Sequence, residues 1–374
     1  MNKEVSCLAL AFALIFLAGP ARSYDLWTSP QPTDVVRPVG YEDVDMEGDK
    51  FGKHEHGAKA CCPPRWAHRT GLFGEYLLLR SNESEVAYGV LADNVANFLT
   101  TGENLSQRSP VFTVDPGYSS NFRVGGTLAL SECSSMQLTY ANFYGSATDA
   151  QSFNPADVGA ARIVPLSLHP FPQDAAQLPL DASAESIIDF ETVDIDYRSI
   201  LWANEWGALN YLVGARYANL NQQYASAYGG TGNPATAQSE VRFDGGGIRF
   251  GLDGERHHAC SGLLLYGRGL VSMVAGQFRT SYEYNDQVGN SVDTGWKADR
   301  IMTILDLELG GGWQSNCGHL RVTCGYMIGS WFNAVTTDQW IRAVSRGNFV
   351  GQPDSMSYDT LMFDGLTVRA ELRF

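Results

Sequence analysis

An all-β fold is predicted by this sequence: a transmembrane, antiparallel, up-and-down β-barrel of 10–12 strands. The first observation is the closing stretch 361–374. There Leu366, Val368, Ala370, Leu372 and Phe374 alternate with Thr367, Arg369, Glu371 and Arg373. One face apolar and the other polar and ionic is what a strand needs between lipid and a wet lumen. The second is that no apolar run after the first 23 residues approaches the ~20 residues a transmembrane helix requires. In hydrocarbon only helices and closed barrels satisfy their backbone groups. The third is the rhythm of the segments between strands, which run long, short, long, short.

Residues 1–23 read as a secretory signal peptide. Lys3 precedes the apolar run Leu8 to Ala18, and Gly19, Pro20, Ala21, Arg22 and Ser23 supply a small-residue exit. Residues 24–70 read as a disordered periplasmic linker, since 25–53 is rich in Pro, Asp and Glu and has no period of 2 or 3.6. The barrel is expected over 71–374.

Ten alternating segments follow: 72–80, 120–130, 136–145, 191–202, 207–217, 241–253, 262–274, 300–314, 319–332 and 361–374. Each is near the ~10 residues that cross a bilayer as a tilted strand. The connections 81–119, 146–190, 218–240, 275–299 and 333–360 are long, and 131–135, 203–206, 254–261 and 315–318 are short. Long external loops and short periplasmic turns have this pattern, and an even strand number leaves both chain ends in the periplasm. Stretches 277–284 and 338–350 either hold an extra hairpin apiece or are strands continuing above the membrane. A soluble β-sandwich also alternates, but it has no need of five long loops at one end.

Composition agrees with this reading. The chain has 39 Gly, 17 Tyr and 8 Trp with 18% charged residues, which suits glycine-rich strands and aromatic girdles. A net charge of −15 argues against nucleic acid as a partner, because phosphate binding needs a basic face.

The pieces GLFGEYLLLR (71–80), FRVGGTLAL (122–130), YLVGARYANLNQQY (211–224), RFDGGGIRFGLDGE (242–255), LLLYGRGLVSMVAG (263–276), LELGGGW (307–313) and TCGYMIGSWFN (323–333) resemble, in order and spacing, the pore-forming major outer membrane protein family first known from Legionella. The resemblance spans most of 71–374 and none of 24–70. It implies a porin-like pore in the outer membrane of a diderm bacterium. It also implies that the terminal aromatic Phe374 is read by the outer-membrane assembly machinery. It brings no catalytic motif, and the cysteine content is high for such a barrel.

The candidate site is the set of ionic residues on the presumed lumen faces. The cations are Arg123, Arg198, Arg216, Arg249, Arg268, Arg321, Arg369 and Arg373; the anions are Glu75, Asp194, Asp196, Asp253, Asp306, Glu308 and Glu371. Every cation is Arg, which forks onto carboxylates and keeps its charge in a narrow site. Such rows line an aqueous channel for small hydrophilic solutes or ions; alternatively they pair across the lumen and plug it, leaving a structural or adhesive barrel whose loops carry the function. Loop 146–190 discriminates. Its apolar, proline-rich middle, 164–172, makes a constriction if folded inward and a binding surface if turned outward.

Other chemistry is expected to be absent. Asp194 and Asp196 are expected near the external end of their strand, where some ten-stranded surface proteases carry paired acids with a His. Of the histidines only His169 lies in an external loop, with no partner pattern, so no catalytic set is assigned. His54, His56, Cys61 and Cys62 match no standard zinc spacing, and neither metal nor cofactor is expected. Six cysteines remain after the signal, Cys61, Cys62, Cys133, Cys260, Cys317 and Cys324. All are placed at the periplasmic end and are candidates for disulfides, with connectivity open. Lipid, assembly machinery and solutes are the expected partners, and an oligomer is compatible with the sequence.

Overall fold

The structure, a computed structural model, describes residues 66–93, 106–169, 178–204, 206–229, 234–258, 261–286, 289, 291–346 and 359–374. The proposed signal peptide, the linker to residue 65, and Cys61, Cys62, Cys260, His54 and His56 lie outside these residues.

In chain order the elements are β1 (Gly71–Asn82), β2 (Val86–Asp93), β3 (Ser106–Gln107), β4 (Phe112–Val114), β5 (Ser119–Ser131), β6 (Ser134–Ser152), α1 (Pro155–Val158), β7 (Arg162–Pro165), β8 (Asp181–Asn204), β9 (Gly207–Gly229), β10 (Ala235–His257), β11 (Leu263–Asp286), β12 (Ser291–Gln314), β13 (Leu320–Ala334), α2 (Thr337–Arg346) and β14 (Asp359–Arg373). Ten of the strands close a ring in the order β1-β14-β13-β12-β11-β10-β9-β8-β6-β5. Every pairing in the ring is antiparallel, and β1 closes on β14 with Glu75 opposite Arg369 and Tyr76 opposite Val368. The ten strands are the ten expected. Stretch 277–284 is the continuation of β11, whereas the described part of 338–350, to Arg346, lies in helix α2.

Alternation puts the faces where the sequence predicts. Leu366, Val368 and Leu372 are exposed, while Thr367, Glu371 and Arg373 are buried. Outward apolar positions form a belt. On β12 it runs from Ile301 to Trp313, about 40 Å of strand at ~3.3 Å per residue, which a tilt of ~45° projects to roughly 28 Å, close to the ~25 Å band of outer-membrane barrels. At the short-turn end Trp202, Trp206, Trp313 and Phe374 stand exposed. At the long-loop end a tyrosine girdle reaches up to polar partners. Tyr140 Oη donates to Glu191 at 2.9 Å and Tyr217 Oη to Asp244 at 3.3 Å. Aromatic rings with a polar tip are suited to that boundary.

Strands β8 to β12 do not stop at the belt. They are 23 to 24 residues long, about twice a membrane crossing, and their upper halves form a crown. On the crown the outward positions turn polar while the inward ones are mainly apolar, with Tyr224, Tyr282, Phe243 and Phe278 buried among a few Ser, Thr and Gln side chains. The crown is filled from within. β2 pairs with β3, β4 and β7 in a small second sheet. Helix α2 buries Trp340, Ile341 and Val344 in the same core, and Trp340 Nε1 donates to the Ser281 carbonyl at 3.0 Å.

Candidate functional site

The lumen has two chemically distinct halves. Below, towards the short turns, it is ionic. All fifteen predicted ionic residues are buried or partly buried on inward positions of the ring strands. Arg216 is the hub: its Nε and Nη2 grip Asp194 at 2.7 and 2.9 Å, and its Nη1 donates to Asp306 at 2.7 Å. Arg249 pairs with Asp196 at 2.9 Å and also with Asp194. Arg123 bridges Glu75 at 3.2 Å and Glu308 at 3.4 Å, and Arg198 holds Asp253 at 2.7 Å. Nearest the short turns, Glu371 lies between Arg369 at 3.6 Å and Arg373 at 3.1 Å. Forked Arg–carboxylate pairs of this kind are strong and directional.

Sequence reasoning passed over several lumen groups. Glu255 falls in the stretch 254–261 that the sequence marks as a turn, yet it is inward and buried on β10 and accepts from Arg321 at 2.6 Å. The unbroken alternation Asp253, Glu255, His257 was the available signal. With Glu255 added, eight arginines face eight carboxylates. Tyr266, also inward, donates to Glu308 at 2.7 Å. Residues 66–70, read as linker, belong instead to the barrel's short-turn mouth. His68 is buried there, Nδ1 at 2.7 Å from Ser135 Oγ and Nε2 at 3.1 Å from Asn210 Oδ1, and Arg69 donates to the Cys317 carbonyl. Those bonds hold the segment inside, and no alternation announces them.

Two adjoining cavities of about 40 Å³ each lie in the ionic half. Gln137, Arg268 and Glu308 line both. Arg268 differs from the other lumen arginines in that, among the described residues, it makes no ion pair; its buried Nε, like those of Arg198 and Arg249, has no hydrogen-bond partner.

Above the cavities the lumen becomes apolar. Phe143, Phe190, Trp331 and Phe363 pack ring against ring, with centroids 4.7 to 5.8 Å apart. Loop 146–190 also turns inward. Val164, Leu168 and Leu178 are buried, Ser167 Oγ lies 2.7 Å from Tyr228 Oη, and the His169 N–H donates to Tyr282 Oη at 3.0 Å. In its described residues, to His169 and from Leu178, the loop therefore folds inward rather than outward.

Two expectations are corrected here. Asp194 and Asp196 are not at the external rim; the extension of β8 to Asp181 sets them deep in the lumen, within arginine pairs. Cys133 and Cys324 are free. Cys324 is exposed on the outward face, parallel to Val322 and Tyr326 and turned away from the lumen, while Cys133 sits exposed in the β5–β6 turn. Cys317 is disulfide-bonded. Among the described residues no group of three or more His, Cys, Asp or Glu is arranged to hold a metal.

A family model described as the Legionella pneumophila major outer membrane protein precursor matches residues 68–374. No curated protein matches. Among solved structures the chain is similar to the outer membrane protease OmpT from Escherichia coli, at 9% identity, 82% of this chain, 97% of that chain and a TM-score of 0.44. It is also similar to the P. putida toluene transporter TodX, at 10% identity, 82% and 90% coverage and a TM-score of 0.33. A Pseudomonas aeruginosa FadL homologue follows at 8% identity, 82% and 90% coverage and a TM-score of 0.22. Likeness this remote carries no argument.

Proposed function

This chain belongs to the family of the Legionella pneumophila major outer membrane protein, an outer-membrane β-barrel family, and we propose that it is a narrow porin-like passage for small hydrophilic solutes or ions, closed at its outer half in this conformation. Arg268 carries the reading. Its guanidinium stands among Glu308, Asp253 and Glu75 without closing an ion pair on any of them, and it lies where both cavities meet, so water is needed to complete its solvation. The contrast between the halves supports the same view. This barrel fills its crown with apolar side chains, so sealing the lower half did not require charge. Buried ion pairs add little stability over apolar packing; a charged, cavity-bearing segment instead suits the passage of water and ions.

In planar bilayers the purified protein is expected to conduct, and Arg268→Gln to move the reversal potential towards cations, because fixed charge in a narrow passage acts strongly on a passing ion. A conducting variant with an unmoved reversal potential would place Arg268 off the path. A second reading, a structural or adhesive barrel with a sealed lumen, is favoured by the aromatic layer and the dense pairing beneath it. It predicts no conductance at any potential.

A further inference from the structure

The outward face of the crown carries a basic row at the height of the outer-leaflet headgroups. The last small or apolar outward row of the belt on β10, β11 and β12 is Gly246, Ala275 and Ile301, paired in register. The next outward row is Asp244, Gln277 and Asp299, and the row beyond that is Arg242, Arg279 and Lys297. On the crown segments of β8 to β12 these three are the only basic residues at outward positions, and all three fall in one row. The surrounding outward charges, among them Asp189, Glu191, Glu240, Glu283 and Asp293, are acidic.

Three cations side by side across strands repel, since like charges directly opposite are destabilising. The carboxylates nearest the membrane do not neutralise them. Asp299 accepts from the Gln277 amide at 3.1 Å, and Asp244 from the Asn219 amide at 2.5 Å and from Tyr217. Arg279 donates its Nε to Gln277 Oε1 at 2.8 Å, an uncharged partner. Arg242 pairs with Glu240 through its Nε at 2.6 Å. Among the described residues neither Arg279 nor Lys297 makes an ion pair, and all three side chains are exposed.

We propose that Arg242, Arg279 and Lys297 form a binding site for the phosphate of a lipid headgroup in the outer leaflet. The height fits. Four residues above Ala275 is about 13 Å of strand, or roughly 9 Å along the membrane normal at a tilt of ~45°. Long basic side chains reach back from there into the headgroup layer. A phosphate offers several acceptor oxygens to adjacent donors and relieves their mutual repulsion, and arginine forks match its geometry.

The test uses the full-length chain extracted in mild detergent, with diphosphorylated lipid A as probe and native mass spectrometry as readout. The wild type retains lipid A and does not retain its phosphate-free analogue. Each cation near a charged lipid surface is worth roughly fivefold in affinity. Lys297→Gln alone therefore weakens retention about fivefold, and the triple variant Arg242→Gln, Arg279→Gln, Lys297→Gln about a hundredfold. Arg279→Lys retains most of the binding. The triple variant keeps its heat-modifiable band, because the residues project outward from an intact wall. Equal retention by wild type and a folded triple variant overturns the proposal. So does full displacement of lipid A by an equal concentration of inorganic phosphate, which would mark a site for the free anion.

Discussion

Tyr266 reaches Glu308 because the two positions beside it in the wall are glycines. A Cβ on Gly310 would meet the Tyr266 ring, and a Cβ on Gly325 would strike its hydroxyl. The phenol therefore lies flat against β12 and β13 and donates to the carboxylate between the cavities. Gly325→Ala should displace the ring and cost about 1–3 kcal/mol, as overpacking does, read as a lower urea midpoint for the folded barrel. At the same scale the belt can be mapped by charge. Val368→Arg, on an exposed apolar position, should destabilise by about 2–4 kcal/mol near the midplane. Gln238→Arg, outward but on the crown, should stay within about ±0.5 kcal/mol. Equal damage would mean that lipid does not end where the tyrosines and carboxylates begin. Inward substitution at this level is not harmless either. Thr367 is buried against Glu308, with its hydroxyl 3.4 Å from the carboxylate, so a larger side chain there would displace that contact.

Secondary-structure elements divide by how local their cause is. The ten ring strands were legible because period-2 alternation is written into each segment, and the short turns punctuate it. The crown was less so. Its inward positions continue the alternation, but its outward ones become Ser, Gln, Asn and Thr, and a polar stretch such as 219–229 reads equally as loop. Helix α2 was missed because a ten-residue amphipathic stretch acquires its meaning from what it packs on. Trp340 is buried by β10 and β11 neighbours far away in sequence, and Asp338 pairs with Arg342 at 2.8 Å on the other side. Burial raises the Asp338 carboxyl above its ordinary range despite that arginine. Trp340→Ala should cost about 3–5 kcal/mol, the usual range for a buried Trp, and should loosen the crown to protease while the belt strands remain protected. Orientation is testable element by element. Cysteine probes at Asp181 and Gly289 should label from outside intact cells, and probes at Ser315 and Asn316 should not. External labelling of the 315–316 turn would invert the topology.

For the whole molecule, the sequence made the wall legible and left the contents obscure. Each predicted ionic residue faces inward because face is fixed by parity along a strand. Which of them pair, and that an aromatic layer covers them, depends on contacts between strands far apart in sequence, such as Arg216 with Asp306 or Phe143 with Phe363. No single-segment pattern encodes those. Assembly is likewise a property of the whole. Phe374 is exposed beyond β14, where its N–H donates to the Thr70 carbonyl at 2.8 Å. Its deletion should lower the heat-modifiable folded fraction while leaving export intact, as a recognition role for the aromatic demands; a normal folded fraction would remove that role. The central claim is a hydrated lower lumen closed by an apolar layer, and single-channel conductance in planar bilayers tests it most directly. Wild-type protein should show small, infrequent openings, and Trp331→Ala with Phe363→Ala should raise conductance and open time by removing the layer above the cavities. Silence from both proteins, each folded and inserted, would contradict the account and leave a sealed structural barrel.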